Sequence, residues 1–327
     1  MVDGGGDPGP TGERPRGRLP GPQVTALLLN YRGATMTLCC LRDLLQVCAD
    51  VDLRVLLLDN ASGEDDLEEL RRGLDELPAD EAKRVELVPL DNNSGFTGGM
   101  NHGLRLAHER GARYALVLNN DLRLSDAFVR PLVEVMENDP QVAVVGPTVL
   151  QPDGSVWAEG GEVGFAANAL RLIRHNKPPR PREHGPESVG FVPGACVLLR
   201  LDAVAEVGMF DDDYFMYWED VALCHRLRQA GHKVVWLPWV RIEHFAGQSS
   251  GGGRSPLRKF LMACNAVRYL KSHGSAAGWL GWLCFDVLLW PIALVTGPAA
   301  ALAKMRGTWA GLCGHRASAE DVRRYLS

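Results

Sequence analysis

Short, continuously apolar runs alternate with helical stretches through the first half of the chain, and few folds accommodate that rhythm. Val24 to Leu29 (VTALLL) is followed by a polar turn and then by Leu38, Leu41, Leu45 and Cys48 at helical spacing. The unit recurs: Leu53 to Leu58 precedes Leu67, Leu70, Leu74 and Leu77, and Val85 to Leu90 precedes a glycine-rich stretch and its helix. Tyr114 to Leu118 then leads to a helix through Phe128, Leu132 and Val135, followed by Val142 to Val145. Strands apolar throughout, alternating with amphipathic helices, predict a mainly parallel sheet covered on both faces.

The rhythm breaks between Val149 and Val192, where KPPRPREHGPE (Lys177 to Glu187) reads as a mobile loop. Beyond it the pattern predicts a strand at Cys196 to Leu201 and a helix through Val221, Leu227 and Ala230. Strands at Val234 to Leu237 and Val240 to Ile242 follow, then a helix around Phe260, Cys264 and Val267. Residues 1–22 are Gly, Pro and Arg without an apolar core and are expected to be disordered, neither leader nor fold.

Charge and cysteine usage narrow the partners. A formal net charge of -5 offers no basic surface for nucleic acid. The eight cysteines contain no CxxC pair and sit mostly in apolar runs, which points to a reducing, cytoplasmic setting and no zinc site. A G-x-G-x-x-G turn after the first strand and a G-x-x-x-x-G-K-[ST] loop are both missing, which argues against a nucleotidyltransferase or a dehydrogenase.

In a parallel sheet, ligands gather outside the carboxyl ends of the strands. Three of those ends are polar here: Asp59-Asn60, the stretch DNNSGFTGGMNHG (Asp91 to Gly103), and Asn119-Asn120-Asp121. Asp121 can coordinate Mg²⁺ or Mn²⁺ together with substrate phosphates, because such hard cations need few protein carboxylates when phosphates supply oxygens. Asp220 falls in the first turn of a helix, where the dipole favours an ionised base, and the aromatics before it either form a sugar platform or pack the core. His244 heads a polar turn, as a metal ligand, a phosphate donor or a structural residue.

Taken in order, VTALLLNYRG, LLLDNAS, NNSGFTGGMNHG, LVLNNDLRL, FVPGACVLLR, GMFDDDYFMYWEDVALCHRLRQAG and HFAGQSS resemble glycosyltransferase family two, and most closely its rhamnosyltransferase-like branch. The resemblance spans Val24 to about Gly274 and implies an α/β GT-A fold: a mixed, mainly parallel Rossmann-like sheet with helices on both faces, over residues 23–274. It implies inverting transfer of a sugar, rhamnose by branch, from a dTDP- or UDP-linked donor to a saccharide or polyprenyl-linked hydroxyl in surface polysaccharide synthesis. Donor contacts would come from Asn30, Asp59, Asn93, Gly95, Asn101 and Asn120, and acceptor contacts from Gly194, Tyr217, Trp218 and Glu219. Asp121 and His244 would hold Mg²⁺ or Mn²⁺, and Asp220 would be the catalytic base. Two positions depart from the family pattern: Asn119 replaces the first Asp of Asp-x-Asp, and Ala222 the second Asp of Glu-Asp-x-Asp-Leu. They motivate an alternative, a degenerate member that binds nucleotide or glycan without turnover.

Residues 275–327 form an apolar then basic appendage. Ser275 to Ala303 carries a single charge, Asp286, while Lys304, Arg306, Arg316, Arg323 and Arg324 follow. Its length could span a bilayer, but Asp286, Pro291 and Gly297-Pro298 interrupt it and three tryptophans suit an interface. The expectation is a helical hairpin or tilted helix lying on the cytoplasmic leaflet, ahead of a packed appendage or a true span.

Overall fold

The computed structural model describes residues 24–326 apart from 50, 125, 166–169, 246–254 and 289. The tail at 1–22 and residues 246–250 of the turn after His244 lie outside the described residues. The chain runs β1 (Val24–Asn30), α1 (Ala34–Val47), β2 (Leu53–Asp59), α2 (Glu64–Asp75), α3 (Ala79–Ala82), β3 (Val85–Pro89), α4 (Gly95–Glu109), β4 (Tyr114–Leu118) and β5 (Leu122–Arg123). It continues through α5 (Val129–Asn138), β6 (Val142–Leu150), β7 (Val156–Ala158), β8 (Gly161–Val163), β9 (Leu170–Leu172), β10 (Glu187–Ser188), β11 (Cys196–Arg200), α6 (Leu201–Glu206), α7 (Glu219–Gln229) and β12 (Lys233–His244). The last part holds α8 (Pro256–His273), α9 (Ala276–Trp282), a π-helical turn (Leu283–Val287), α10 (Trp290–Thr296), α11 (Pro298–Leu312) and α12 (Ala319–Leu326).

Ten strands form one sheet in the order β10-β12-β6-β11-β4-β1-β2-β3, with β5 beside β12 and β7 beside β6. Pairings among β1 to β4 are parallel, as is β6 with β12, while β11 runs antiparallel to both β4 and β6. The carboxyl ends of β1, β2, β4, β6 and β12 therefore share one edge with the start of β11. Because strand side chains alternate, Ala26, Leu28 and Leu57 meet α1, α2 and α5, whereas Leu27, Leu56 and Leu58 meet α4 and the α7 and α8 layer. Both faces are covered, as the apolar runs required.

Two sequence expectations change. The two strands expected at 234–237 and 240–242 are one, β12, whose register against β6 shifts between Leu237 and Arg241, around Pro238. The segment read as a mobile loop is tied down: the Arg180 N–H donates to Glu159 Oε1 (2.8 Å), Arg180 pairs with Glu187, and Arg241 donates to the Arg180 carbonyl (2.7 Å). Glu159 is wholly buried, so this strap is anchored in the interior.

At the C-terminus, among the described residues, no helix is long and apolar enough to cross a membrane. Instead α11 packs along α8 so closely that a Cβ on Gly307 would lie 2.1 Å from the Phe260 carbonyl oxygen, and one on Gly311 2.5 Å from that of Cys264. Leu257, Phe260, Leu261, Ala303 and Val322 close a third apolar cluster with Phe215. One side of the appendage is thus continuous with the segment that leads into α7.

Candidate active site

Asn30 and Asp59 are register partners at the ends of β1 and β2. The Asn30 amide donates to Asp59 Oδ1 (2.8 Å), Ser62 Oγ (3.1 Å) and Asp66 Oδ2 (2.6 Å), and its oxygen accepts from Thr37 Oγ1 (2.8 Å). Ser62 donates its hydroxyl to Asp59 Oδ1 (2.6 Å) and its N–H to Oδ2 (3.2 Å). Both residues are buried, and Asn30 has no exposed surface, so it is a brace beneath the site and not a ligand contact. Asn120, half-buried, donates to the same Thr37 hydroxyl (2.9 Å).

The glycine-rich stretch is a second brace. Asn60 donates to Asn93 Oδ1 (3.1 Å) and to the Gly95 carbonyl (3.0 Å), while the Gly95 N–H donates to Asn93 Oδ1 (2.9 Å). Gly95 opens α4 at φ +76°, and a Cβ there would meet the Phe215 carbonyl oxygen at 2.2 Å, so the turn needs glycine twice over. Asn101 donates to the Phe210 carbonyl (2.9 Å) and Asp212 Oδ1 (2.6 Å), and accepts the Phe210 N–H (3.0 Å). Wholly buried, it ties α4 to the segment that leads into α7 and offers nothing to a donor.

Asp121 and His244 come together where β5 crosses β12. The Phe245 N–H donates to the Asp121 carbonyl (2.9 Å), and His244 Nε2 stands 3.0 Å from Asp121 Oδ1. Both side chains are about 5% exposed or less, and the Trp157 ring meets the imidazole edge-on at 4.8 Å between centroids. The carboxylate contact is not aligned as a hydrogen bond: Asp121 Oδ1 and His244 Nδ1 are both buried without hydrogen-bond partners. One carboxylate and one imidazole with unused polar atoms suit a divalent cation. Among the described residues no third His, Cys, Asp or Glu joins them, so such an ion would complete its shell from phosphate and water.

Asp220 occupies the first turn of α7. Its Oδ2 accepts the Gly194 N–H (2.8 Å) and its Oδ1 the Val221 N–H (2.8 Å). The dipole was expected to favour the ionised form; burial outweighs it and raises the carboxyl, although the Gly194 and Val221 N–H groups pull the other way. Glu219 beside it is buried, with Oε2 unpartnered, and burial together with the Asp220 charge pushes its carboxyl well up. The neighbouring Ala195 carbonyl accepts the Asn119 N–H (2.9 Å), so the 194–195 turn joins the Asp121 loop to Asp220.

Of the two readings left open for the aromatics before Asp220, Trp218 takes the core one. Trp218 is 1% exposed, stacked on Phe165 (6.1 Å) and packed against Tyr269 (5.0 Å), which corrects its assignment as an acceptor contact. Tyr217 remains half-exposed beneath the Arg258 guanidinium (5.7 Å). Sequence reasoning missed Ser62, Trp157 and Thr37: Ser62 lay within LLLDNAS as a visible polar break, whereas Trp157 sits where no periodicity marks an element.

The family model for Glycosyl transferase family 2 matches residues 29–208. The chain belongs to glycosyl transferase family 2. Its relatives include the N-acetylglucosaminyl-diphospho-decaprenol L-rhamnosyltransferase of Mycobacterium tuberculosis, 27% identical over 72% of this chain and 79% of that protein. They also include the dTDP-rhamnosyl transferase RfbF of Shigella flexneri, 26% identical over 58% and 64%. This family 2 chain thus groups with rhamnosyltransferases. Solved structures with the same fold include the mannosyltransferase PcManGT of Pyrobaculum calidifontis in complex with GDP-Man and Mn²⁺, with a TM-score of 0.55 at 15% identity, covering 96% of this chain and 82% of that one. GalNAc-T7 with UDP, GalNAc and Mn²⁺ also has a TM-score of 0.55, at 14% identity, where the match covers 68% of this chain but 43% of that one. The glycosyltransferase fold is GT-A.

Proposed function

We propose that this glycosyltransferase inverts the anomeric centre as it moves a sugar, rhamnose foremost, from a dTDP- or UDP-linked donor to a hydroxyl of a saccharide or polyprenyl-linked acceptor in surface polysaccharide synthesis. The observation that carries the reading is the 194–195 turn, which receives Asn119 on one side and donates to Asp220 on the other. On this reading the leaving diphosphate and the base would lie on opposite sides of that turn.

The acceptor oxygen attacks the anomeric carbon as the bond to the diphosphate oxygen breaks, and the acceptor proton passes to an Asp220 carboxylate oxygen. The raised carboxyl makes Asp220 a better proton acceptor than an exposed aspartate, provided the site runs above its titration. Asp121 and His244 would hold Mg²⁺ or Mn²⁺, which when bound offsets the charge developing on the diphosphate. Gly95 and Asn93 shape the donor wall, Asp59 orders its floor, and Tyr217 stands on the acceptor side.

The same reading takes residues 23–274 as the catalytic unit and 275–327 as the part that meets the cytoplasmic face of the inner membrane. Support comes from the exposed large apolar residues, which among those described all lie between Leu280 and Leu312. The 275–327 stretch has five Lys and Arg against three Asp and Glu in a chain of net charge -5, which suits an anionic lipid surface.

The test is a screen of dTDP-, UDP- and GDP-sugars with Mn²⁺ or Mg²⁺, read by thermal stabilisation and by release of nucleoside diphosphate with soluble and polyprenyl-linked acceptors. Acceptor-dependent release is the expected result. Stabilisation without release would favour the degenerate alternative that Asn119 and Ala222 motivate, and no response to any nucleotide sugar would sink both.

A further inference from the structure

The two residues before Glu219 both adopt left-handed backbone, Tyr217 at φ 70° and Trp218 at φ 78°. Each such residue costs about 1–2 kcal/mol when it carries a Cβ, so a consecutive pair persists only where neighbours over-determine it. The holder is Asn265, midway along α8 and without exposed surface. Its Nδ2 donates to the carbonyls of Met216 and Tyr217, both at 2.9 Å. Three residues on, Arg268 donates to Asp213 Oδ2 (2.8 Å) and lies over the Tyr214 ring (5.9 Å). A single face of α8 therefore grips 213–217.

The grip is transmitted directly. The Trp218 carbonyl accepts the Ala222 N–H (2.8 Å), which begins α7, and Asp220 sits in that turn against Gly194. Asn265 Oδ1 is buried without a hydrogen-bond partner. An unsatisfied buried oxygen costs about 1–3 kcal/mol, so an apolar residue would be the stabler filler if only packing mattered here. What the amide supplies beyond packing is its two N–H donations.

We infer that Asn265 is a positioning residue: from α8 it fixes the left-handed turn that sets α7, and so places the Asp220 carboxylate. The catalytic consequence rests on the proposed role of Asp220 as base. The backbone consequence does not.

The test compares Asn265→Ala and the gentler Asn265→Ser with Cys264→Ala, which removes an equally buried side chain one residue along α8. Hydrogen exchange is followed over 213–224, together with kcat, KM and the pH profile on whichever nucleotide sugar the wild type turns over. Exchange at 217–222 is expected to quicken about 10-fold or more in both Asn265 variants, with β1, β2 and β4 unchanged. Turnover is expected to fall about 10- to 100-fold at unchanged donor KM, and Cys264→Ala to do neither. Unaltered exchange at 217–222 in folded Asn265→Ser, or equal acceleration in Cys264→Ala, would overturn the inference. Exchange needs no substrate, so a chain that transfers no sugar would refute the proposed function and leave this arm standing.

Discussion

His244 Nε2 stands 3.0 Å from Asp121 Oδ1, yet each residue keeps a buried polar atom without a hydrogen-bond partner. Buried polar groups in native structures are nearly always satisfied, and on the proposed function a divalent cation would satisfy this pair. Asp121→Asn retains the shape and removes the charge. Loss of even an outer-sphere partner weakens metal sites about 10- to 100-fold, and loss of the carboxylate is expected to exceed that. Calorimetric titration of Mn²⁺ in the presence of nucleoside diphosphate reads it, and undiminished affinity in Asp121→Asn would remove the metal from this site.

Asp220→Asn is expected to lower turnover by about 10²- to 10⁴-fold while donor-induced thermal stabilisation stays within error. The base works only as a carboxylate, and burial raises its titration above the ordinary aspartate range. Turnover of the wild type should therefore fall as pH falls through that raised value, with the acid limb above about 3.9, the unperturbed figure. A pH profile of kcat checks this, and an acid limb at the ordinary value would show that another group titrates.

Glu219 offers a stability test independent of turnover. Its folded carboxyl is raised, so its favourable contribution is complete below the unfolded value of about 4.3 and is lost as pH rises through the folded one. At neutral pH the wild type carries that penalty and Glu219→Gln does not. The variant should melt higher at pH 7 to 8, the advantage growing by up to about 1.4 kcal/mol per pH unit inside the window and vanishing near pH 4. A melting-temperature difference that ignores pH would mean that Glu219 is not protonated by burial.

What the sequence disclosed follows the physics of each element. Short apolar runs such as VTALLL suit strands buried on both faces, and β1, β2 and β4 are such strands, whereas β3 at the sheet edge is only half-buried. Polar strand ends point to the candidate site because connecting loops gather at one edge. Roles within the site were less legible, since an amide reads alike whether it faces a ligand or a carbonyl: Asn30 and Asn101 brace, and only their burial says so. Trp218 misled for a related reason, as an aromatic before a carboxylate suits a sugar face or a core equally. Asn265 carried no sequence signal, because its partners are carbonyls almost 50 residues away.

The appendage yields the last prediction. Leu288, Ile292, Val295 and Trp309 are each more than 60% exposed on α10, α11 and the turn before them. The lone acidic residue of the apolar stretch, Asp286, is neutralised by Lys304, so no net charge interrupts that face. An exposed cluster of this kind on a water-soluble surface marks an interaction site, and the basic excess nearby favours anionic lipid. Burying one such side chain is worth about 1.5–3 kcal/mol at most. The triple variant Leu288→Glu, Val295→Glu, Trp309→Glu should therefore sediment with phosphatidylglycerol vesicles at least about 100-fold more weakly, at unchanged turnover on a soluble acceptor. If the wild type stays in the supernatant at saturating lipid, and its size in solution shows a dimer that the triple variant lacks, the face belongs to a second copy of the chain and not to a membrane.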